Sequence, residues 1–200
     1  MIHQYGKNCM NMKNCRNLLE YSKFGQRRSC FGNPGDGDDG TSCRTCGILL
    51  SMLITLAHIG VRPGSKDVLD PLIQTYLERC SGFARCQTES FRTEEALLQW
   101  LERQQGRTPA LAVLLDSRGR KMTSEEFARW LGARRDQGSQ HIVFAVGPAS
   151  GWSEAARKRS QLLLSLGPMT LAHALARLVM AEQLYRAFTI LTGHPYHAGH

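Results

Sequence analysis

Two apolar runs, ALAVLLD (110–116) and HIVFAVG (141–147), constrain this chain more than any other feature. Each is apolar without the alternation of a half-exposed strand, and each is too short for a buried helix. A run of this kind suits a parallel strand covered on both faces, which requires helices on either side. The flanking segments supply them. TEEALLQWLERQQG (93–106) opens with a threonine cap and closes at Gly106, and TSEEFARWLGARRDQG (123–138) opens with Thr123 and Glu126 at capping-box spacing. Upstream, MLITLAHIG (52–60) and FARCQTESF (83–91) predict strands. Between them SKDVLDPLIQTYLERC (65–80) sets Val68, Leu69, Leu72, Ile73, Tyr76 and Leu77 at helical spacing, with Pro71 early enough to be tolerated. Downstream follow a short polar helix (153–161), a fifth apolar strand (162–170) and the longest helix (172–191). The expectation is an α/β fold with a mainly parallel sheet, formed by residues 52–200.

The first 51 residues do not share this pattern. They hold five of the seven cysteines, Cys9, Cys15, Cys30, Cys43 and Cys46, and the turn-rich stretch GNPGDGDDGTSC (32–43). A zinc module is one reading, but Cys43 and Cys46 form a CxxC pair with no second pair to match it. A disulfide framework requires an oxidising compartment, and the apolar stretch GILLSMLITLAHIG begins at Gly47, far too deep for a signal peptide. The favoured reading is a disordered extension, or a stretch upstream of the true start at Met52. No apolar run reaches the roughly 18 residues of a membrane-spanning helix, so a cytoplasmic protein without a membrane partner is expected. Lys and Arg number 25 against 17 Asp and Glu, a net charge of +8 that points towards an anionic partner, nucleic acid first.

In parallel α/β sheets, ligands sit beyond the carboxyl ends of the strands. Three glycine-containing segments follow such ends here: DSRGRK from Asp116, GPASG after Val146 and GPMT after Leu166. Glycine lets backbone approach a small ligand closely, although it also simply ends strands. The chain then finishes with Glu182, Tyr185 and Arg186 in the last helix and GHPYHAGH (193–200). Three histidines and a tyrosine in eight residues suit either a metal or proton transfer. A terminal loop offers no fixed scaffold for a metal, and none is expected.

VGP followed by a glycine (146–151), SLGPMTLAH (165–173), AEQLYRA (181–187) and GHPYH (193–197) together resemble the ribosomal RNA large-subunit methyltransferase H family. This is the SPOUT-class family that methylates N3 of a pseudouridine, position 1915 in 23S numbering, in helix 69 of 23S rRNA. The resemblance covers about residues 52–197. It implies a SPOUT-type α/β knot with a C-terminal trefoil, a homodimer whose site is completed across the interface, and S-adenosylmethionine as cofactor. Carried over by position, the cofactor contacts fall on Leu115, Asp116 and Gly147, and on Gly167, Pro168, Met169, Thr170, Leu171 and Ala172. The catalytic tail falls on His194, Tyr196 and His197, with Arg186 orienting the base or balancing charge. The implied partner is 23S rRNA in the ribosome or its large subunit.

Two departures from the family pattern stand out. The glycine turn usually reads Gly-Pro-Glu-Gly, whereas here Gly147-Pro148-Ala149-Ser150-Gly151 is one residue longer and lacks the acid. The tail usually ends Tyr-His-Arg, whereas Ala198 follows His197 here. In the implied reaction N3 must lose its proton to attack the sulfonium methyl, and His197 or His194 is the candidate acceptor. Arg134, Arg135, Arg157, Lys158 and Arg159 are candidate phosphate contacts, or simply a solvated surface. The alternative function is a catalytically impaired SPOUT-like protein that only binds rRNA or ribosomes.

Overall fold

The computed structural model describes residues 52–60, 67–104 and 109–197. The extension expected over residues 1–51 lies outside the described residues. Five strands, β1 (Leu53–Ile59), β2 (Arg85–Phe91), β3 (Leu111–Lys121), β4 (His141–Val146) and β5 (Leu162–Ser165), form one sheet in the order β2-β1-β4-β3-β5. Every pairing is parallel. Among the described residues five helices, α1 (Asp70–Cys80), α2 (Glu94–Arg103), α3 (Ser124–Asp136), α4 (Glu154–Arg159) and α5 (His173–Thr192), alternate with the strands. The expected α/β fold with a parallel sheet is the one observed.

The continuous apolar runs lie where their composition requires. Val113, Leu114, Ile142, Val143, Phe144 and Ala145 are buried. On one face Ile73 and Leu77 of α1, Phe127 and Leu131 of α3, and Met180, Leu184 and Phe188 of α5 pack into a single core. On the other, Leu97 of α2 joins Trp152 and Ala156. Both predicted caps form. Thr93 Oγ1 accepts from the Ala96 amide at 3.2 Å. Thr123 Oγ1 accepts from the Glu126 amide at 3.2 Å while Glu126 Oε2 accepts from the Thr123 amide at 2.9 Å, and such a cap stabilises a helix by about 1 kcal/mol.

Three boundaries differ from the sequence expectation. The helix expected from residue 65 begins at Asp70. Asp67 Oδ1 accepts from the Leu69 amide at 3.0 Å, a local turn that competes with helix. The strand expected over 162–170 stops at Ser165. The segment DSRGRK, expected as a turn beyond Asp116, instead continues β3 to Lys121. Leu115 and Arg120 both pair with Leu164, so residues 116–119 bulge out between two contacts with the same strand. Gly119 makes this possible, because a Cβ there would stand 2.6 Å from the Leu163 carbonyl carbon.

The strand order creates one switch point. After β1 the chain moves to β2 on one side, and after β4 it moves to β5 on the other. Adjacent strands whose connections diverge leave a crevice at their carboxyl ends.

Candidate active site

The three segments expected to hold a cofactor all lie at the carboxyl side of the sheet: Leu115 is the last residue of β3 paired with β4, and the other two follow the ends of β4 and β5. Each is held differently. Asp116 has a side chain only 5% exposed and is ion-paired to Arg157 Nε at 2.7 Å, and it also accepts from the Arg118 amide at 2.9 Å. Burial works to raise its pKa. The Arg118 amide and the Arg157 guanidinium outweigh that and hold the carboxyl below its ordinary value. The Leu115 carbonyl accepts from Trp152 Nε1 at 2.9 Å. The same indole packs on Gly147, where a Cβ would stand 2.7 Å from Trp152 Cε2. Thus Leu115, Gly147 and Trp152 form one locked corner between β3 and β4.

The third segment is more open. Ser165 Oγ donates to the Gly167 carbonyl at 3.1 Å and accepts from the Gly167 amide at 3.3 Å. Gly167 has φ +131°, with no atom within 4 Å of where a Cβ would stand. Pro168, Met169, Thr170 and Ala172 are exposed, and Leu171 is half-buried. Beside this segment Ser165 and Gly167, with Lys121, Thr123, Ser124 and Gln183, line a cavity of about 320 Å3. That is at the low end of the range of about 300–1,000 Å3 for small-ligand sites. Backbone carrying no side chain at Gly167, a cavity beside it and hydroxyls along its wall suit a cofactor of amino-acid and nucleoside chemistry.

The tail folds back along its own helix. Tyr196 OH donates to Glu182 Oε1 at 3.1 Å, and Arg186 pairs with the same carboxylate at 2.7 Å. The Arg186 guanidinium also lies 5.0 Å from the Tyr196 ring centroid. Burial, then Tyr76 and Glu182, push the Tyr196 phenol up to about 12, so it stays protonated. His194 Nδ1 accepts from the Tyr196 amide at 3.1 Å, and burial lowers the His194 pKa below the ordinary imidazole value. His197 Nε2 lies 2.8 Å from Glu125 Oε1 in the first turn of α3. Thr123 and Ser124, which begin that turn, line the 320 Å3 cavity. The structure therefore brings the tail and the Gly167 segment to the same helix N-terminus.

Several partners were not singled out in the sequence: Trp152, Ser165 and Glu125. Only Glu182, four residues before Arg186, carried a visible signal, through the helical i,i+4 spacing. The candidate phosphate contacts are mostly engaged. Arg157 is held by Asp116 and by Glu154 at 2.8 Å, Arg159 pairs with Glu102 at 2.6 Å, and Arg135 with Asp136 at 2.7 Å. Arg157 thus braces β3 against α4, while Lys158 is exposed. Among the described residues no helix is long and apolar enough to cross a membrane, and no group of three or more His, Cys, Asp or Glu is placed to hold a metal.

A family model described as a predicted SPOUT methyltransferase matches residues 52–197. Over 135 residues the chain is 47% identical to the ribosomal RNA large subunit methyltransferase H of Koribacter versatilis, covering 68% of this chain and 92% of that relative. Over 88 residues it is 54% identical to the protein of the same name from Rhodospirillum centenum, covering 44% of this chain and 58% of that one. Among solved structures, a probable methyltransferase from Bordetella pertussis aligns with a TM-score of 0.46 at 16% identity, covering 73% of this chain and 99% of that one. The chain belongs to the SPOUT methyltransferases and, within them, to the ribosomal RNA large subunit methyltransferase H family.

Proposed function

We propose that this protein is a cytoplasmic, S-adenosylmethionine-dependent methyltransferase acting on N3 of the helix 69 pseudouridine of 23S rRNA, as a knotted homodimer. The observation that carries the reading is the meeting of segments 115–116, 147–151 and 165–172 at one edge of a parallel sheet. It stands beside 47% identity to a ribosomal RNA large subunit methyltransferase H. When bound, the cofactor supplies an electrophilic methyl group on a sulfonium. Gly147 and the run Gly167–Ala172 hold it through backbone, with Leu115 and Asp116 fixing the opposite wall.

The remaining chemistry is positioning and removal of a proton. His197 is arranged for the latter. With Nε2–H donated to Glu125, Nδ1 is the accepting atom, and it is buried with no partner among the described residues. A carboxylate behind an imidazole fixes its tautomer. His194, kept neutral by burial, is the second candidate, and its Nδ1 would first have to release the Tyr196 amide. Tyr196 and Arg186, tied to Glu182, hold the tail in shape, and Arg186 brings a positive charge towards the base. Val68, Leu72, Met169 and Leu175 are large exposed apolar side chains. Val68 lies just before α1 and Leu72 in its first turn, and Leu175 lies in the first turn of α5, which packs on α1. Such a patch suits a second copy of the chain.

The deciding experiment supplies labelled cofactor and ribosomes from a strain lacking its own enzyme, then maps the modified base. Transfer to N3 of the helix 69 pseudouridine is expected. Ribosome binding without transfer would support the binding-only reading, which draws on the engagement of Tyr196 and Arg186 by Glu182.

A further inference from the structure

A second cavity opens at the switch point between β1 and β4. It encloses about 350 Å3, and its lining includes His58, Gly60, Asp67, Ala149, His173 and Arg177. Ala149 belongs to the turn after Gly147, and His173 directly follows the run Gly167–Ala172. A group placed here lies beside two of the segments assigned to the cofactor.

Two polar atoms of this lining are unsatisfied. His173 Nε2 and Arg177 Nε are both shielded from solvent and have no hydrogen-bond partner among the described residues. The two residues are four apart on α5 and so share a face. His173 Nε2 is the ring atom left without a partner, and with the ring hydrogen on Nδ1 it is an acceptor. The terminal nitrogens of Arg177 are taken by Asp70 at 2.8 Å and Asp67 at 3.6 Å, which leaves Nε–H as a donor. Burial, then the Arg177 charge, lowers the His173 pKa below its ordinary value, so Nε2 keeps its lone pair at neutral pH. The two carboxylates offset the guanidinium. The cavity is therefore poorly suited to a phosphate and better suited to a neutral ring that offers a donor beside an acceptor.

We propose that this cavity receives the target base, and that His173 Nε2 and Arg177 Nε read the N1–H and C2=O edge of pseudouridine, so that His173 distinguishes pseudouridine from uridine. The inference rests on the methyltransferase reading above. Pseudouridine is joined to its ribose through C5, so N1 carries a hydrogen; in uridine N1 is the glycosidic nitrogen and carries none. Held by this edge, the base leaves N3 free on the other side of C2 to meet the methyl group. Arg177 at O2 also faces the charge that deprotonation of N3 spreads onto that oxygen. Against uridine the buried Nε2 stays unpaired, and a site built to bond an N–H discriminates strongly against an analogue lacking it.

The test is single-turnover methylation of two ribosome preparations, one with pseudouridine and one with uridine at the target, by wild type, His173→Ala and His173→Asn. His173 is the half-buried first residue of α5, so the fold should survive, and cofactor calorimetry reports separately on the neighbouring turn. Wild type should prefer pseudouridine by roughly a hundredfold or more. In His173→Ala the ratio of the two rates should fall to within about threefold of unity, while His173→Asn, whose amide oxygen still accepts, should recover part of it. An undiminished preference in His173→Ala, or equal rates in wild type, would overturn this inference and leave the methyltransferase reading standing. No transfer by wild type to either preparation would overturn both.

Discussion

Trp152 occupies the space that a side chain on Gly147 would need: a Cβ there would stand 2.7 Å from Trp152 Cε2, and the same indole donates to the Leu115 carbonyl at 2.9 Å. Two segments assigned to the cofactor are thereby joined through a residue assigned to neither. Gly147→Ala should lower stability by about 1–3 kcal/mol through overpacking, and Gly147→Val should lower it further and abolish cofactor binding. Tryptophan fluorescence and thermal melts follow the first effect and calorimetry the second. A Gly147→Val protein with native fluorescence and unchanged cofactor affinity would contradict the assignment.

Gly167 poses the opposite case. Space is available for a side chain, but its φ of +131° is one that other residues rarely adopt. Gly167→Ala should lower stability by about 1–3 kcal/mol through backbone strain, and weaken cofactor binding as the turn relaxes. Equal affinity and an unchanged melting temperature would show that the turn tolerates a side chain and does not hold the cofactor.

We assign the Glu125–His197 pair to proton removal rather than to cofactor binding. His197→Ala should lower the single-turnover transfer rate roughly 10²–10⁴-fold, the range for loss of a general base, with cofactor affinity little changed. Glu125→Gln should lower it less, because the amide oxygen still accepts from Nε2–H. Equal rates for wild type and His197→Ala would remove His197 from the mechanism and leave His194 as the candidate.

Stability should depend on pH through the histidines. Burial lowers the pKa of His141, His173 and His194 below the ordinary value of 6.5. The unfolded chain therefore takes up protons first as pH falls, and stability is full above about 6.5 and declines below it. The lowered pKa of Asp116 adds a loss only at more acid pH, below the ordinary carboxylate range. Melting temperatures should hold between about pH 8 and 7 and drop between about pH 6.5 and 5. A flat profile across the second interval would show that these rings titrate alike folded and unfolded.

A truncated chain starting at Met52 should fold, dimerise and methylate like the full chain. Met52 is buried, β1 follows at Leu53, and the family match begins at residue 52. Insolubility of the shortened protein, or one bound zinc per full-length chain whose removal unfolds it, would show that residues 1–51 are part of the structure.

The sequence by itself determined what local physics governs. Continuous apolar runs made ALAVLLD and HIVFAVG buried strands, Thr93 and Thr123 set two helix starts, and the strand ends located the glycine segments, because periodicity and capping act within a few residues. The tertiary structure decided what depends on register and on contacts between distant segments. Arg177 meets Asp70 across 107 positions, and Trp152 meets Leu115 across 37. Neither pairing has a local signal, because a lone arginine or tryptophan suits many environments. The continuation of β3 past Asp116 was hidden for the same reason. DSRGRK has the composition of a turn, and only its pairing with β5 at Arg120 and Lys121 makes it a strand. His173 and Arg177 had the spacing of a shared helix face, but only the fold around them leaves His173 Nε2 and Arg177 Nε without a partner among the described residues beside the β1–β4 crevice.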